Sequence, residues 1–135
     1  MKLTPAPGAS ENGPLMVHDE LKAAIDAAFE HDLSAPVELC RDALVVRLNN
    51  EAVMELRFAS AAEYSIGWRW GEAQLRIDTA PLHPQLATYP RHLHDSEGRV
   101  RPDPLTRAGE DAWHNVQRVI AAVLRDPLLQ ASGGS

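Results

Sequence analysis

The stretch Arg76-Ile77-Asp78-Thr79-Ala80-Pro81-Leu82-His83-Pro84, continued by Thr88-Tyr89-Pro90-Arg91-His92-Leu93-His94-Asp95, gathers the residue types most suited to chemistry. Three of the chain's six histidines fall within twelve residues, accompanied by Arg76, Arg91, Asp78 and Asp95. Prolines flank them and restrict the backbone, and rigid presentation of titratable groups is what a site needs. Histidine changes charge near neutrality. One imidazole could therefore take a proton from a ribose 2′-hydroxyl while another gives one to the leaving oxygen. Arg76 or Arg91 would offset the charge developing on phosphorus, and Tyr89 could stack on a base. In this reading His92 and His94 are the acid and base, His83 and Asp78 orient them, and neither metal nor cofactor is required.

Other readings use the same residues. His83, His92 and His94, with Asp78 or Asp95, could bind a divalent metal, because His-x-His on an extended segment places both imidazoles on one face. The segment could be a surface for a protein partner. Its histidines could also simply pack against Trp68 and Trp70 and hydrogen-bond the backbone of a proline-rich loop. Spacing alone leaves these open. The remaining histidines read as structural: His18 flanks a helix start, His31 lies in a last turn where a cation suits the helix dipole, and His114 neighbours an apolar stripe. Cys40, in the apolar run Val37-Glu38-Leu39-Cys40, reads as a buried thiol. As the only cysteine it excludes an intrachain disulfide and a cysteine-based zinc site.

The elements that must position these residues are legible in part. Asp19–Phe29 reads as a helix capped by Asp19, with Leu21, Ala24, Ile25, Ala28 and Phe29 on one face. Four strands follow: Ala43–Leu48, Val53–Phe58, Tyr64–Trp70 and a short strand holding Leu75 and Ile77. Apolar and polar residues alternate along them. Their connections are too short for parallel crossovers, so the sheet should be an antiparallel meander. From Pro81 to Pro104 five prolines (Pro81, Pro84, Pro90, Pro102, Pro104) predict an irregular loop. A final helix opens at Thr106, shows Trp113, Val116, Ile120 and Val123 as its apolar stripe, and ends at Pro127. The predicted class is α+β: N-terminal helix, about four antiparallel strands, His/Pro-rich loop, C-terminal helix.

The 135 residues suit one domain, with 1–14 as a disordered arm, 15–130 as the domain and 131–135 as a flexible tail. An apolar content of 44% and a charged content of 24% exclude a wholly disordered or collagen-like chain. No apolar run reaches the roughly 18 residues of a membrane span, and no secretory signal is visible, so the expected location is the cytoplasm. A formal net charge of −6 argues against general nucleic-acid binding. The charge is uneven, however. Residues 64–107 hold six arginines against five acids, so an anionic ligand should meet this segment. The acidic first helix would suit a basic partner segment.

The stretch Tyr64–His94 resembles the TumE-type proteins, described as toxins of type II toxin–antitoxin modules. Their pattern has an aromatic strand of the type Tyr-x-aromatic-His, then Asp-Asn-Ala-Pro-His-His-Pro, then Thr-Phe-Pro-His-His-x-His. Here stand Tyr64-Ser65-Ile66-Gly67-Trp68, Asp78-Thr79-Ala80-Pro81-Leu82-His83-Pro84 and Thr88-Tyr89-Pro90-Arg91-His92-Leu93-His94. By the match Asp78, His83, His92 and His94 carry over, with Pro81, Pro84 and Pro90 as shaping residues. Gly67, Leu82 and Arg91 replace histidines of the pattern, and Thr79 replaces an asparagine. The resemblance implies a small cytoplasmic bacterial toxin neutralised by an antitoxin. Ribonuclease action fits the residue types: catalysis by His83, His92, His94 and Asp78, RNA contact by Arg76, Arg91 and Tyr89, no metal. A non-catalytic interaction module on the same scaffold is the alternative, and a metal-dependent hydrolase the third.

Overall fold

The computed structural model describes residues 14–130. Its elements are α1 (Pro14–Ala28), β1 (Glu38–Cys40), β2 (Ala43–Arg47), β3 (Val53–Ser60), β4 (Glu63–Trp70), β5 (Ala73–Asp78), β6 (His92–His94), β7 (Val100–Pro102) and α2 (Ala112–Arg125). The class is α+β, as predicted. The sheet, however, has seven strands rather than about four, in the order β1-β2-β3-β4-β5-β6-β7, each antiparallel to its neighbour.

The four predicted strands are β2 to β5. Their alternation decides which face meets the core. Leu44 and Val46, Met54, Leu56 and Phe58, Tyr64, Ile66 and Trp68, Leu75 and Ile77 all point inward and are buried. Glu55, Arg57, Arg69, Gln74 and Arg76 are exposed on the opposite face. Between β4 and β5 the pair Trp70↔Ala73 leaves a two-residue turn, and Gly71 supplies the positive φ (61°) that such a turn requires.

The inner face packs on both helices. Leu21 and Ile25 of α1 and Val116, Val119, Ile120 and Val123 of α2 belong to one hydrophobic cluster with the sheet. Trp113 sits at its margin, edge-on to Phe29 at 6.3 Å between ring centroids. The indole of Trp68 donates to Pro127 O at 2.6 Å, tying β4 to the chain beyond α2.

Several sequence expectations need correction. The 81–104 loop contains β6, which fits between the prolines, and β7, which ends on one. Pro102 lies on the edge strand, where its missing N–H costs no ladder bond. The first helix starts at Pro14, which suits a first turn because those N–H groups have no helical partner. Asp19 is therefore inside the helix and exposed, not its cap. His18 does not flank the helix start either. It is buried, and its Nε2 accepts from Phe58 N at 3.1 Å. His31 lies beyond the helix end.

The last helix is capped by Asp111, whose carboxylate accepts from His114 N at 2.8 Å. Thr106 is instead a buried loop residue, receiving the Tyr64 hydroxyl at 2.7 Å. Cys40 is exposed, because β1 is a short edge strand whose three residues all face solvent. The expected arm over 1–13 and tail over 131–135 lie outside the described residues, while Pro14, assigned to the arm, begins α1. Among the described residues no helix is long and apolar enough to cross a membrane.

Candidate functional site

The register of β5 against β6 builds the site. Ile77 and Leu93 point into the core, so the residues alternating with them point outward. Arg76 stands opposite His94, and Asp78 opposite His92. Four polar side chains thus occupy adjacent positions on the face of the sheet away from the helices, close enough for direct cross-strand contact.

Asp78 is the hub. One carboxylate oxygen, Oδ1, accepts from Ala80 N at 3.1 Å and lies 2.9 Å from His92 Nε2. The other, Oδ2, accepts from Arg76 Nε at 2.8 Å and lies 3.6 Å from His94 Nε2. The two histidine Nε2 atoms are 3.1 Å apart, and Arg76 Nη2 is 3.2 Å from that of His94. His92 Nδ1 faces Pro90 O at 3.0 Å. A carbonyl only accepts, so Nδ1 carries the hydrogen and Nε2 is turned toward the cluster. His83, from the loop after β5, lies edge-on to His92 at 4.8 Å and is 6.5 Å from His94, between ring centroids.

Access separates these groups. His92 is 1% exposed and Asp78 is buried, whereas His94 and His83 are half-buried and Arg76 is exposed. Burial, reinforced by the Arg76 guanidinium and partly opposed by Asp78, holds His94 below the ordinary imidazole range. His94 and Arg76 line an open groove of about 700 Å³ along the outer face of the sheet, together with Glu55, Arg57, Gly67 and Arg69.

The structure brings together Asp78, His83, His92, His94 and Arg76. Arg91 is directed elsewhere. Its Nη1 donates to Thr106 O, its side chain approaches Asp103 Oδ2 at 3.8 Å, and it lines a separate pocket of about 280 Å³ beside Tyr64 and Arg107. Tyr89 is exposed on the loop before β6. The histidines do not pack on the tryptophans: Trp68 is on the inner face, and the Trp70 indole donates to Asn50 O at 2.9 Å. Two contributors had no signal in their residue type. One is the carbonyl of Pro90, which fixes the His92 ring. The other is Thr88, whose hydroxyl donates to Arg91 O at 2.6 Å and accepts from Asp103 N at 3.0 Å, bracing the loop.

The fold and this cluster define a class: a small α+β protein whose histidine–aspartate–arginine group sits on the open face of an antiparallel meander. Residues 16–126 match the family model described as "Toxin TumE", and the chain belongs to that family. Neither the curated proteins nor the solved structures gave a match. Two of the three histidine replacements noted above fall away from the cluster: Leu82 is 70% exposed, and Arg91 is drawn toward Thr106. Gly67 alone shares its row, paired with Arg76, which pairs in turn with His94.

Proposed function

We propose that this TumE-family toxin is a ribonuclease working by proton transfer at the outer-face cluster. The observation that carries the reading is the position of His94, half-buried at the groove with the Arg76 guanidinium beside it. His94 Nε2 takes the proton from a ribose 2′-hydroxyl. The resulting oxyanion attacks phosphorus, giving a 2′,3′-cyclic phosphate. The 5′-oxygen leaves with a proton from His83, the other accessible imidazole. Arg76 meets the phosphate charge. His92 is too buried to touch RNA. It positions His94 through Asp78, with its own ring fixed by Pro90 O. Arg91 serves the fold rather than the substrate, and the exposed Tyr89 would stack on a base. Family membership supports an antitoxin partner and action inside a bacterial cytoplasm.

Induced expression of the chain alone tests this, beside His94→Ala and His83→Ala at matched soluble level. Growth arrest by the natural chain only, with RNA fragments ending in 2′,3′-cyclic phosphate, is expected. Arrest that persists in His94→Ala, or arrest without RNA cleavage, overturns it. A chain harmless when expressed alone would point to the non-catalytic interaction role.

A further inference from the structure

The cluster at β5 and β6 has the geometry of a ligand set. Asp78 Oδ1, His92 Nε2 and His94 Nε2 converge, and the ligand atoms of the three residues lie within 4.8 Å of one another. All are lone-pair atoms. His92 Nδ1 already gives its hydrogen to Pro90 O, so the convergence closes only around a proton or a cation. Nitrogen and oxygen ligands about 2.0–2.1 Å from a zinc-type ion, at angles between octahedral and tetrahedral, stand about 2.8–3.4 Å from each other. The observed separations are 2.9 Å for His92 to Asp78 Oδ1, 3.1 Å between the imidazoles and, just beyond that range, 3.6 Å for His94 to Asp78 Oδ2.

The surroundings match as well. A ligating histidine usually donates its other N–H to a carbonyl or carboxylate, as His92 does to Pro90, and a ligating carboxylate is itself hydrogen-bonded, as Asp78 is by Ala80. Arg76 Nη2, 3.2 Å from His94 Nε2, is the one group in the way. Its side chain is half exposed, so it can turn into the groove.

We propose that Asp78, His92 and His94 bind one zinc-type divalent ion, and that this ion switches the site off. The second half rests on the proposed function. A metal bound to His94 Nε2 occupies the lone pair that would accept the 2′-hydroxyl proton, and it repels Arg76 from the phosphate position.

Binding is read first, without reference to activity. The full chain without a histidine tag is titrated with Zn²⁺ against a chromogenic chelator. One ion per chain is expected, with affinity at least tenfold weaker in Asp78→Asn and in His94→Gln. A His31→Gln/His114→Gln double variant, away from the cluster, should bind as the natural chain does. Circular dichroism confirms that each variant is folded. If either cluster variant unfolds, Arg76→Ala keeps the question open to refutation: removing the obstructing cation should tighten binding. No saturable binding, or binding unchanged in the cluster variants, overturns the site. RNA cleavage with and without Zn²⁺ is read second. Stoichiometric binding without any cleavage would refute the ribonuclease reading and leave the metal site standing. Cleavage undiminished by saturating Zn²⁺ would refute the switch.

Discussion

Replacing Asp78 with asparagine removes the hub of the cluster while keeping its shape. The amide can retain one oxygen for Ala80 N and for His92 Nε2, at present 3.1 and 2.9 Å from Oδ1. The other oxygen becomes an NH₂ group facing Arg76 Nε, a donor set against a donor 2.8 Å away. The Arg76 half of the loss is small, because that side chain is half exposed and solvent-screened ion pairs contribute about 0–1 kcal/mol. The His92 half is larger. His92 is buried, and the proton that closes its contact with Asp78 makes a hydrogen bond to a charged group, worth about 1.5–3 kcal/mol against about 0.5–1.5 for a neutral one. The expected total is a loss of about 1–3 kcal/mol. Urea unfolding at pH 7.5 reads it as a lower midpoint with an unchanged slope, since the buried surface is the same. A variant within about 0.5 kcal/mol of the natural chain would show that Asp78 and His92 are not bonded, and the positioning role of both would fall with it.

Arg91 and Arg76 should separate cleanly. Arg91→Ala loses the bond to Thr106 O and should cost about 1–3 kcal/mol of stability while leaving toxicity per folded molecule intact, whereas Arg76→Ala should do the reverse. Thermal melts paired with the growth assay check this, and a shared phenotype would refute the division. Burial holds His18 below its ordinary 6.5, against the pull of Asp42 and Asp19. The unfolded chain then binds a proton first, so this contribution to stability is complete above about pH 6.5 and is lost as pH falls through the folded value. His18→Gln should flatten the decline of unfolding free energy between pH 7.5 and 5.5. Parallel profiles would count against it.

What was readable in the sequence follows from period and length. Strands β2 to β5 are long enough for alternation to show, and Met54, Leu56 and Phe58 against Glu55 and Arg57 fix both strand and face. His92-Leu93-His94 contains one apolar residue between prolines, and Glu38-Leu39-Cys40 faces solvent throughout, so neither carries a periodic signal. The start of α2 differs from the sequence expectation for a tertiary reason. Thr106 and Asp111 are both good caps, but the Thr106 hydroxyl is engaged by Tyr64 and Asp103. Tyr64 is too distant in sequence to be seen locally. Asp78, His92 and His94 stood out by residue type, but their convergence comes from the register of β5 against β6 and not from their spacing. The separation of Arg76 from Arg91 could not, because it depends on β6 existing at all.

Gly67 is where the family pattern and the groove meet. It lies in one row with Glu55, Arg76 and His94 across four strands. A Cβ there would meet Arg76 Cγ and Leu75 O at 3.7 Å, ordinary contact distances, so a side chain can enter the groove without moving the backbone. Glycine inside a regular element costs about 0.5–1 kcal/mol relative to alanine, so Gly67→Ala should raise stability by that order and leave growth arrest unchanged. Gly67→Trp starts from the same permitted Cβ but lays an indole along the groove in front of Arg76 and His94. If RNA reaches His94 through this groove, the tryptophan variant should fold normally, keep its metal affinity within a fewfold and lose growth arrest. A folded Gly67→Trp chain that arrests growth as strongly as the natural one would mean that substrate reaches the histidines from the His83 side. The outer face of the sheet would then be a scaffold and not the path to the site.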